Sequence, residues 1–507
     1  MLSIIKSGGF LGIDGFLVDV EVNVSQGLPQ FITVGLPDTA VKESKERVRS
    51  AVVNTGVSFP LRKIVVNLAP ADIPKQGTLY DLPIAVGILY TTGIIKEKSI
   101  ENTAFLGELA LDGSLRRVKG VLPIVIALKE AGIKRVILPE ENSKEASLVK
   151  GIDVFGLKSL KETILFLNGE LDKKPVKVNL SSMLNNNGEY IDFSEIKGQF
   201  AVKRALEIAA AGFHNILMVG SPGSGKSMMA KAFPSILPPL SFEEAIETTK
   251  IHSVAGILED FVVKKRPFIS PHHTTSDVAI IGGGSIPKPG AVSLAHNGVL
   301  FLDELPEFKR SVLEVLRQPL EDRIVTVSRA TGTFKFPAKF LLVAAANPCP
   351  CGYKNDPHKE CLCSPGEIKR YTQKLSGPLL DRIDINVFVN PVPPEELSSL
   401  DSGEKSEYIK ERVLKALEIQ KKRFKGTKIN FNSEMTPSMI ERFVVLKPEA
   451  ENILVGITKK YHLTARSYHR ILKVARTIAD IEGKEKVESK HIIEAFNFKI
   501  YDNALIS

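Results

Sequence analysis

Cysteine is scarce in this 507-residue chain: there are four, and all lie between Cys349 and Cys363. A disulfide framework spreads its cysteines over a fold, so this clustering argues against one. It points instead to a reducing compartment and a metal site. Long apolar runs are also missing. No stretch of 18 or more uncharged apolar residues occurs, so no membrane-spanning helix is expected. Met1–Gly15 is too short and too mixed for a signal peptide and has no small-residue cleavage pattern, so a cytoplasmic location is expected. No internal repeat is found.

What is present bounds the chain further. Its length predicts two to four domains. Hydrophobic residues at 43% are enough for several cores, and 25% charged residues keep the surfaces soluble. The net charge of +9 suits a polyanionic partner as well as an ordinary lysine-rich surface.

Residues 1–167 alternate strand and helix patterns. Val18, Val20, Val22 and Val24 share one strand face, while Val41, Val48 and Val52 recur at helical spacing. Further strands are expected at Lys63–Asn67, Phe105–Leu109 and Arg135–Pro139, with helices at Leu82–Thr92 and Val121–Ala131. Residues 168–190 are polar and aperiodic and read as a linker. A second α/β region covers 191–392, punctuated at its end by Pro391, Pro393 and Pro394. Residues 393–507 read as helical, with an apolar stripe through Ile471, Leu472, Val474, Ala475, Ile478 and Ile481.

Gly220, Ser221, Pro222, Gly223, Ser224, Gly225, Lys226 and Ser227 match the phosphate-binding loop in full. An apolar strand at Asn215–Val219 precedes them and a helix is expected from about Ser227. Glycines let backbone N–H groups turn toward phosphates, and the helix N-terminus adds its positive dipole. In such a loop Lys226 reaches the β- and γ-phosphates of ATP and the Ser227 hydroxyl ligates Mg²⁺. Gly298–Leu302 reads as a buried strand ending in Asp303, suited to the Mg²⁺ shell, and Glu304, suited to polarising the attacking water. A strand at Phe340–Ala345 leads to Asn347, which could orient that water.

These motifs, with the Leu379–Asp384 segment, resemble the magnesium-chelatase-like AAA+ ATPases. Ser270–Thr274, Pro287–Gly290, Ala295–Gly298 and Asn347–Gly352 narrow the resemblance to the ComM/YifB family, along essentially the whole chain. The resemblance implies an N-terminal α/β domain like the Lon protease (S5-type) domain, a central AAA+ P-loop α/β domain and a C-terminal helical lid. It also implies a homo-oligomeric ring, a hexamer, with ATP at subunit boundaries. Arg382 then matches the arginine finger, the alternative being a salt bridge to Asp381 or Asp384. Arg466 matches the second sensor arginine, with Arg470 one turn on as a substitute. Asp277–Pro289, with Gly282, Gly283 and Gly284, fits the family's first insertion as an exposed mobile loop. Ile324–Phe336 fits the second as a β-hairpin. Lys309–Lys339 holds seven basic residues against three acidic ones, which suits a pore that tracks phosphate backbones, or an ordinary solvated surface.

The Lon-type likeness rests on Pro74–Gly77, Leu82–Ala85, Gly107 and Glu108, and Ala131–Pro139. Lon-type proteolysis needs a serine activated by a lysine. Alignment puts Leu79 at the serine position and Leu122 near the lysine position, with Lys119 close by, so the domain is expected to lack proteolysis and to serve interaction or DNA contact.

Cys349, Cys351, Cys361 and Cys363 form two C-x-C pairs nine residues apart. Four thiolates could close a structural Zn²⁺ site, with His358 able to replace one, or remain four metal-free thiols. His272 and His273 are expected to point apart on a strand and to serve packing or DNA contact. Three functions stay open. The resemblance favours a DNA motor, a branch migration helicase acting on single-stranded or branched DNA in recombination and natural transformation. The others are the ATPase subunit of a metal chelatase and a protein-remodelling chaperone.

Overall fold

The computed structural model describes residues 1–96, 100–179, 190–284, 287–329, 332–354, 356–375, 377–393 and 403–506. Residues 180–189 of the expected linker, Pro394 and the hairpin positions Ala330 and Thr331 lie outside these. The chain divides into two compact units. One comprises residues 1–185, 241–264 and 286–288; the other comprises 186–240, 265–285 and 289–507. Residues 241–264 follow the phosphate loop in sequence yet pack with the first unit.

The first unit is built on a seven-stranded mixed sheet. Its order runs Gln30–Val34, Lys63–Ala69, Asp14–Ser25, Leu2–Leu11, Thr103–Phe105, Arg135–Pro139, Asp153–Leu157. Leu2–Leu11 and Asp14–Ser25 form an antiparallel hairpin from Leu2 opposite Asn23 to Leu11 opposite Asp14. Val18, Val20, Val22 and Val24 are buried on its inner face, as the period-2 pattern predicts. The helix Thr39–Asn54 starts where Asp38 accepts from the Val41 N–H at 2.8 Å, and it buries Val41, Val48 and Val52. The helix Asp81–Thr91 is buried along most of its length, so it has no polar face to orient it.

The strand expected at Phe105–Leu109 is instead two. Thr103–Phe105 joins the main sheet, while Glu108–Leu109 pairs with Leu115–Arg116 in a separate ribbon. The break falls at Gly107, whose N–H donates to the Leu79 carbonyl at 2.9 Å instead of a ladder partner. The helix Phe242–Ala255 completes this unit. Its Ser253 hydroxyl reaches the buried Glu145 carboxylate at 2.5 Å, Lys250 pairs with Asp14 at 3.0 Å, and Arg117 donates to the Leu258 carbonyl at 2.8 Å.

The second unit carries a five-stranded parallel sheet in the order Phe268–Ile269, Val299–Leu302, Leu341–Ala346, Ile216–Gly220, Ile385–Val389. Its three central strands are buried at every position, as strands covered on both faces must be. Helices Ser406–Arg423, Pro437–Phe443, Pro448–Tyr461, Ala465–Ile481 and Ser489–Ile506 form the C-terminal region. Their buried residues, including Val413, Ile471, Ala475 and Ile478, share one core with the sheet. Asp277–Pro289 departs from an exposed loop: Asp277–Ile281 is a helix capped by Ser276, and Gly282 and Gly283 are buried. The Ser276 side chain, accepting from the Ala279 N–H at 3.3 Å, favours that turn of helix. Ile324–Arg329 and Gly332–Pro337 pair as the expected antiparallel hairpin, burying Val325, Val327, Phe334 and Phe336 on one face.

Candidate functional site

The phosphate loop leaves its strand at Gly220 and enters the helix Lys226–Ala232. Gly223 (φ +79°) and Gly225 (φ +92°) occupy left-handed conformations that side chains resist. Lys226 is buried, and its ammonium donates to the carbonyls of Gly220 at 2.6 Å and Ser221 at 2.8 Å. It also donates to Ser224 Oγ at 3.4 Å and Asn347 Oδ1 at 3.3 Å. Burial pushes this lysine down to about 8, against the opposing pull of Asp303 and Glu304.

Parallel pairing of Leu341–Ala346 between the other two strands sets three chain ends side by side. Ser227 Oγ donates to Asp303 Oδ2 at 2.6 Å, so two oxygens suited to a hard divalent cation converge. Glu304 has φ +51°, a left-handed backbone uncommon for a carboxylate residue. Its side chain remains half-exposed. His273 Nδ1 lies 3.4 Å from Glu304 Oε2. The histidine pair does not splay apart: it sits in a turn, with ring centroids 4.1 Å from each other. The strand that would have separated the rings ends at Ile269.

Arg382 and Arg466 meet elsewhere, at Glu321. Arg382 pairs with Glu321 and donates to the Pro378 carbonyl at 2.6 Å, while Arg466 lies 3.5 Å from the same carboxylate. Both line a cavity of about 730 Å³ whose walls contain none of the phosphate-loop residues. The alternative partners Asp381 and Asp384 are not the ones Arg382 takes. Arg470, the candidate substitute for Arg466, is buried and committed: its Nε lies 3.6 Å from Asp384, and Nη1 reaches the Leu380 and Ile383 carbonyls at 3.5 and 3.4 Å. Burial opposes ionisation of Asp384, but His214, Arg470 and Lys473 outweigh it and hold the carboxyl well below the usual range.

The basic stretch 309–339 is partly spent on structure. Arg317 pairs with Glu314 at 2.6 Å, Lys339 with Glu434 at 2.8 Å, and Arg323 donates to the Phe340 carbonyl at 3.0 Å. Arg329 and Lys335 are exposed: Lys335 pairs with Thr326 on the face opposite Val325 and Val327, while Arg329, near the hairpin tip, donates to the Gly284 carbonyl at 3.2 Å.

The four cysteine Sγ atoms all lie within 4.8 Å of one another. Cys349 Sγ is 3.4 Å from Cys351 Sγ and 3.7 Å from Cys361 Sγ, and the Cys351–Cys361 separation is 3.6 Å. Four ~2.3 Å Zn–S bonds in a tetrahedron require S···S edges of ~3.8 Å, so the donor set fits that ion. Among the described residues His358 is not part of this group; its N–H donates to Asp356 instead. In the first unit, Leu79 and Leu122 are both buried, Lys119 is exposed, and the Leu122 N–H donates to Glu145 at 3.1 Å.

Comparison with known proteins bears on all of this at once. The family model for magnesium chelatase subunit ChlI matches residues 192–397, that for subunit ChlI of Mg-chelatase matches 20–142, and the ChlI C-terminal model matches 403–499. Competence protein ComM of Haemophilus influenzae is 44% identical over 98% of this chain and 97% of its own. The chain belongs to the ComM/YifB family of magnesium-chelatase-like AAA+ ATPases. Within that family, YifB of Escherichia coli is 41% identical over 100% of this chain and 98% of its own. A shorter match links 33% of the chain to Lon protease 2 of Bacillus subtilis at 26% identity. Among the described residues no helix is long and apolar enough to cross a membrane.

For His273 the structure replaces the expected strand with a turn beside Glu304. Its only signal was its place just after a very short strand. Glu321 was missed altogether, because nothing near it in sequence announces two arginine partners.

Proposed function

We propose that this chain is a cytoplasmic ATP-driven DNA motor that works as a homo-oligomeric ring of six subunits and catalyses branch migration during recombination and natural transformation. The observation that carries the ATP site is the convergence of Lys226, Ser227, Asp303 and Asn347 at 2.6 to 3.3 Å contacts. ComM of Haemophilus influenzae, by its name a competence protein, supports the cellular setting.

In this reading Gly220 through Ser227 cradle the phosphates, and the Lys226 ammonium exchanges loop carbonyls for phosphate oxygens. Ser227 and Asp303 hold Mg²⁺, which neutralises charge on the β- and γ-phosphates when bound. Glu304 takes the proton of the attacking water as its oxygen bonds to the γ-phosphorus and the bond to the β–γ bridging oxygen breaks. Asn347 orients that water. Arg382, with Arg466 beside it, leaves Glu321 for the γ-phosphate of a neighbouring subunit. Residues 1–167 act as a Lon-like domain without a dyad, 191–392 as the AAA+ domain, 393–507 as the lid, and Cys349, Cys351, Cys361 and Cys363 hold a structural Zn²⁺.

The deciding experiment measures ATP hydrolysis with and without single-stranded and branched DNA, using Lys226→Ala as the inactive control. Strong stimulation together with unwinding of branched DNA is expected, both lost in the variant. A rate indifferent to DNA would remove the motor reading and leave a chelatase-type or chaperone-type ATPase.

A further inference from the structure

The loop that carries the four cysteines begins two residues after Asn347 and returns to the phosphate loop of the same unit. Gly352 (φ +86°) packs against Pro222 so closely that a Cβ there would meet Pro222 Cδ at 2.5 Å and Cγ at 2.6 Å. Only glycine tolerates both that backbone and that approach. Four residues on, the Asp356 carboxyl is held below its usual range first of all by the neighbouring Ser221 side chain. Asp356 is itself fixed by the His358 and Lys359 N–H groups at 2.9 and 3.0 Å. The cysteine cluster encloses this segment from both ends. Lys354 N–H donates to Cys349 Sγ at 3.3 Å and Cys351 N–H to Cys363 Sγ at 3.4 Å, the outer contacts that orient thiolates around a metal.

From this geometry we infer that the four-cysteine loop is a metal-dependent brace of the phosphate loop, so that zinc occupancy sets the affinity of the same subunit for ATP. The inference rests on the nucleotide-site reading above. A closed tetrathiolate fixes Gly352 against Pro222 and keeps Asp356 in the neighbourhood of Ser221, which holds the first turn of the phosphate loop in its cradle shape. Without the ion, Cys349, Cys351 and Cys361, at 3.4 to 3.7 Å from one another, keep only weak thiol contacts, beside the backbone N–H bonds to Cys349 and Cys363. The brace then slackens, and ATP binding must include the cost of ordering the loop. Zinc would thus regulate a site from which it is chemically separate.

The test uses the full-length protein. Zinc is counted with a chromogenic chelator after thiol modification, and ATP affinity is read by fluorescent-nucleotide titration before stripping, after it, and after zinc is restored. One zinc per chain is expected. Stripping should weaken ATP binding by roughly tenfold, about the worth of one charge-assisted hydrogen bond, and added zinc should restore it. Cys361→Ser with Cys363→Ser should mimic stripping. Because that double variant could misfold, Asp356→Ala is the second probe; it should keep its zinc yet bind ATP several-fold more weakly. Equal affinity with and without zinc overturns the brace and leaves the zinc site standing. Absence of zinc removes both. Zinc without ATP binding in any state would instead sink the nucleotide-site reading.

Discussion

The Lys226 ammonium sits among carbonyl oxygens, and that burial is what lowers its proton affinity to about 8. Phosphates brought to the same position favour the charged form and raise it again. The sign follows from linkage. Below about 8 the free lysine is already protonated and binding takes up no proton there. Above it, binding must draw a proton from solution, so the apparent Kd for ATP should climb by up to about tenfold per pH unit. Nucleotide titrations from about pH 7 to 10 test this; a flat profile would mean the lysine keeps its charge without nucleotide. His273 supports a second expectation at this scale. Its ring lies 3.4 Å from Glu304. Replacing it with alanine should lower kcat by about two- to tenfold, the worth of one hydrogen bond, while ATP affinity holds. Equal losses in both would assign the ring to binding.

At the scale of elements, the first unit hangs on an ion pair between helices. Asp81, at the start of the buried helix Asp81–Thr91, has no exposed surface. Arg47 on Thr39–Asn54 meets it twice, Nε to Oδ2 at 2.6 Å and Nη2 to Oδ1 at 3.0 Å, and the Leu109 N–H adds a third bond at 3.2 Å. Burial drives the Asp81 carboxyl up to about 6 even so, with Arg47 pulling the other way. Arg47→Ala would leave that carboxylate buried and unpaired, and should destabilise the unit by about 3–5 kcal/mol. Denaturant unfolding of the variant beside the parent gives the number, and a loss below about 1 kcal/mol would mean water reaches Asp81. This pair was invisible in sequence, since 34 residues separate its members. The strand, loop and helix around Lys226 were legible because glycine spacing and apolar runs are local signals. The strand Ile385–Val389 was not picked out, although it flanks the phosphate-loop strand and is bounded by Asp384 and by Asn390 and Pro391. Phe105–Leu109 was misread because its apolar pattern continues through Gly107, and only the Leu79 carbonyl shows where the ladder ends.

For the whole molecule, the same distinction decides what sequence could reveal about the arginines. Arg382 and Arg466 were legible as motif positions. Their meeting at Glu321 depends on segments 61 and 145 residues distant. Both guanidiniums share a cavity that excludes Lys226 and Ser227, so one subunit's arginines do not face its own phosphate loop there. If the arginines serve a neighbour, every active site in a ring combines the Lys226 of one subunit with the Arg382 of the next. Head-to-tail contacts of that kind are heterologous and close by rotation. Lys226→Ala and Arg382→Ala should then each abolish hydrolysis alone, the second while still binding ATP. Mixed in equal amounts and reassembled, they create a working site wherever an Arg382→Ala subunit, with its lysine intact, receives the arginine of a Lys226→Ala neighbour. Random mixing makes that about one interface in four, so roughly a quarter of the parental ATPase rate should return if sites fire independently. Recovery near that level would establish that Arg382 acts across the boundary. Zero recovery from a verified mixed ring would return Arg382 to a structural ion pair with Glu321, and the transition-state charge would need another partner.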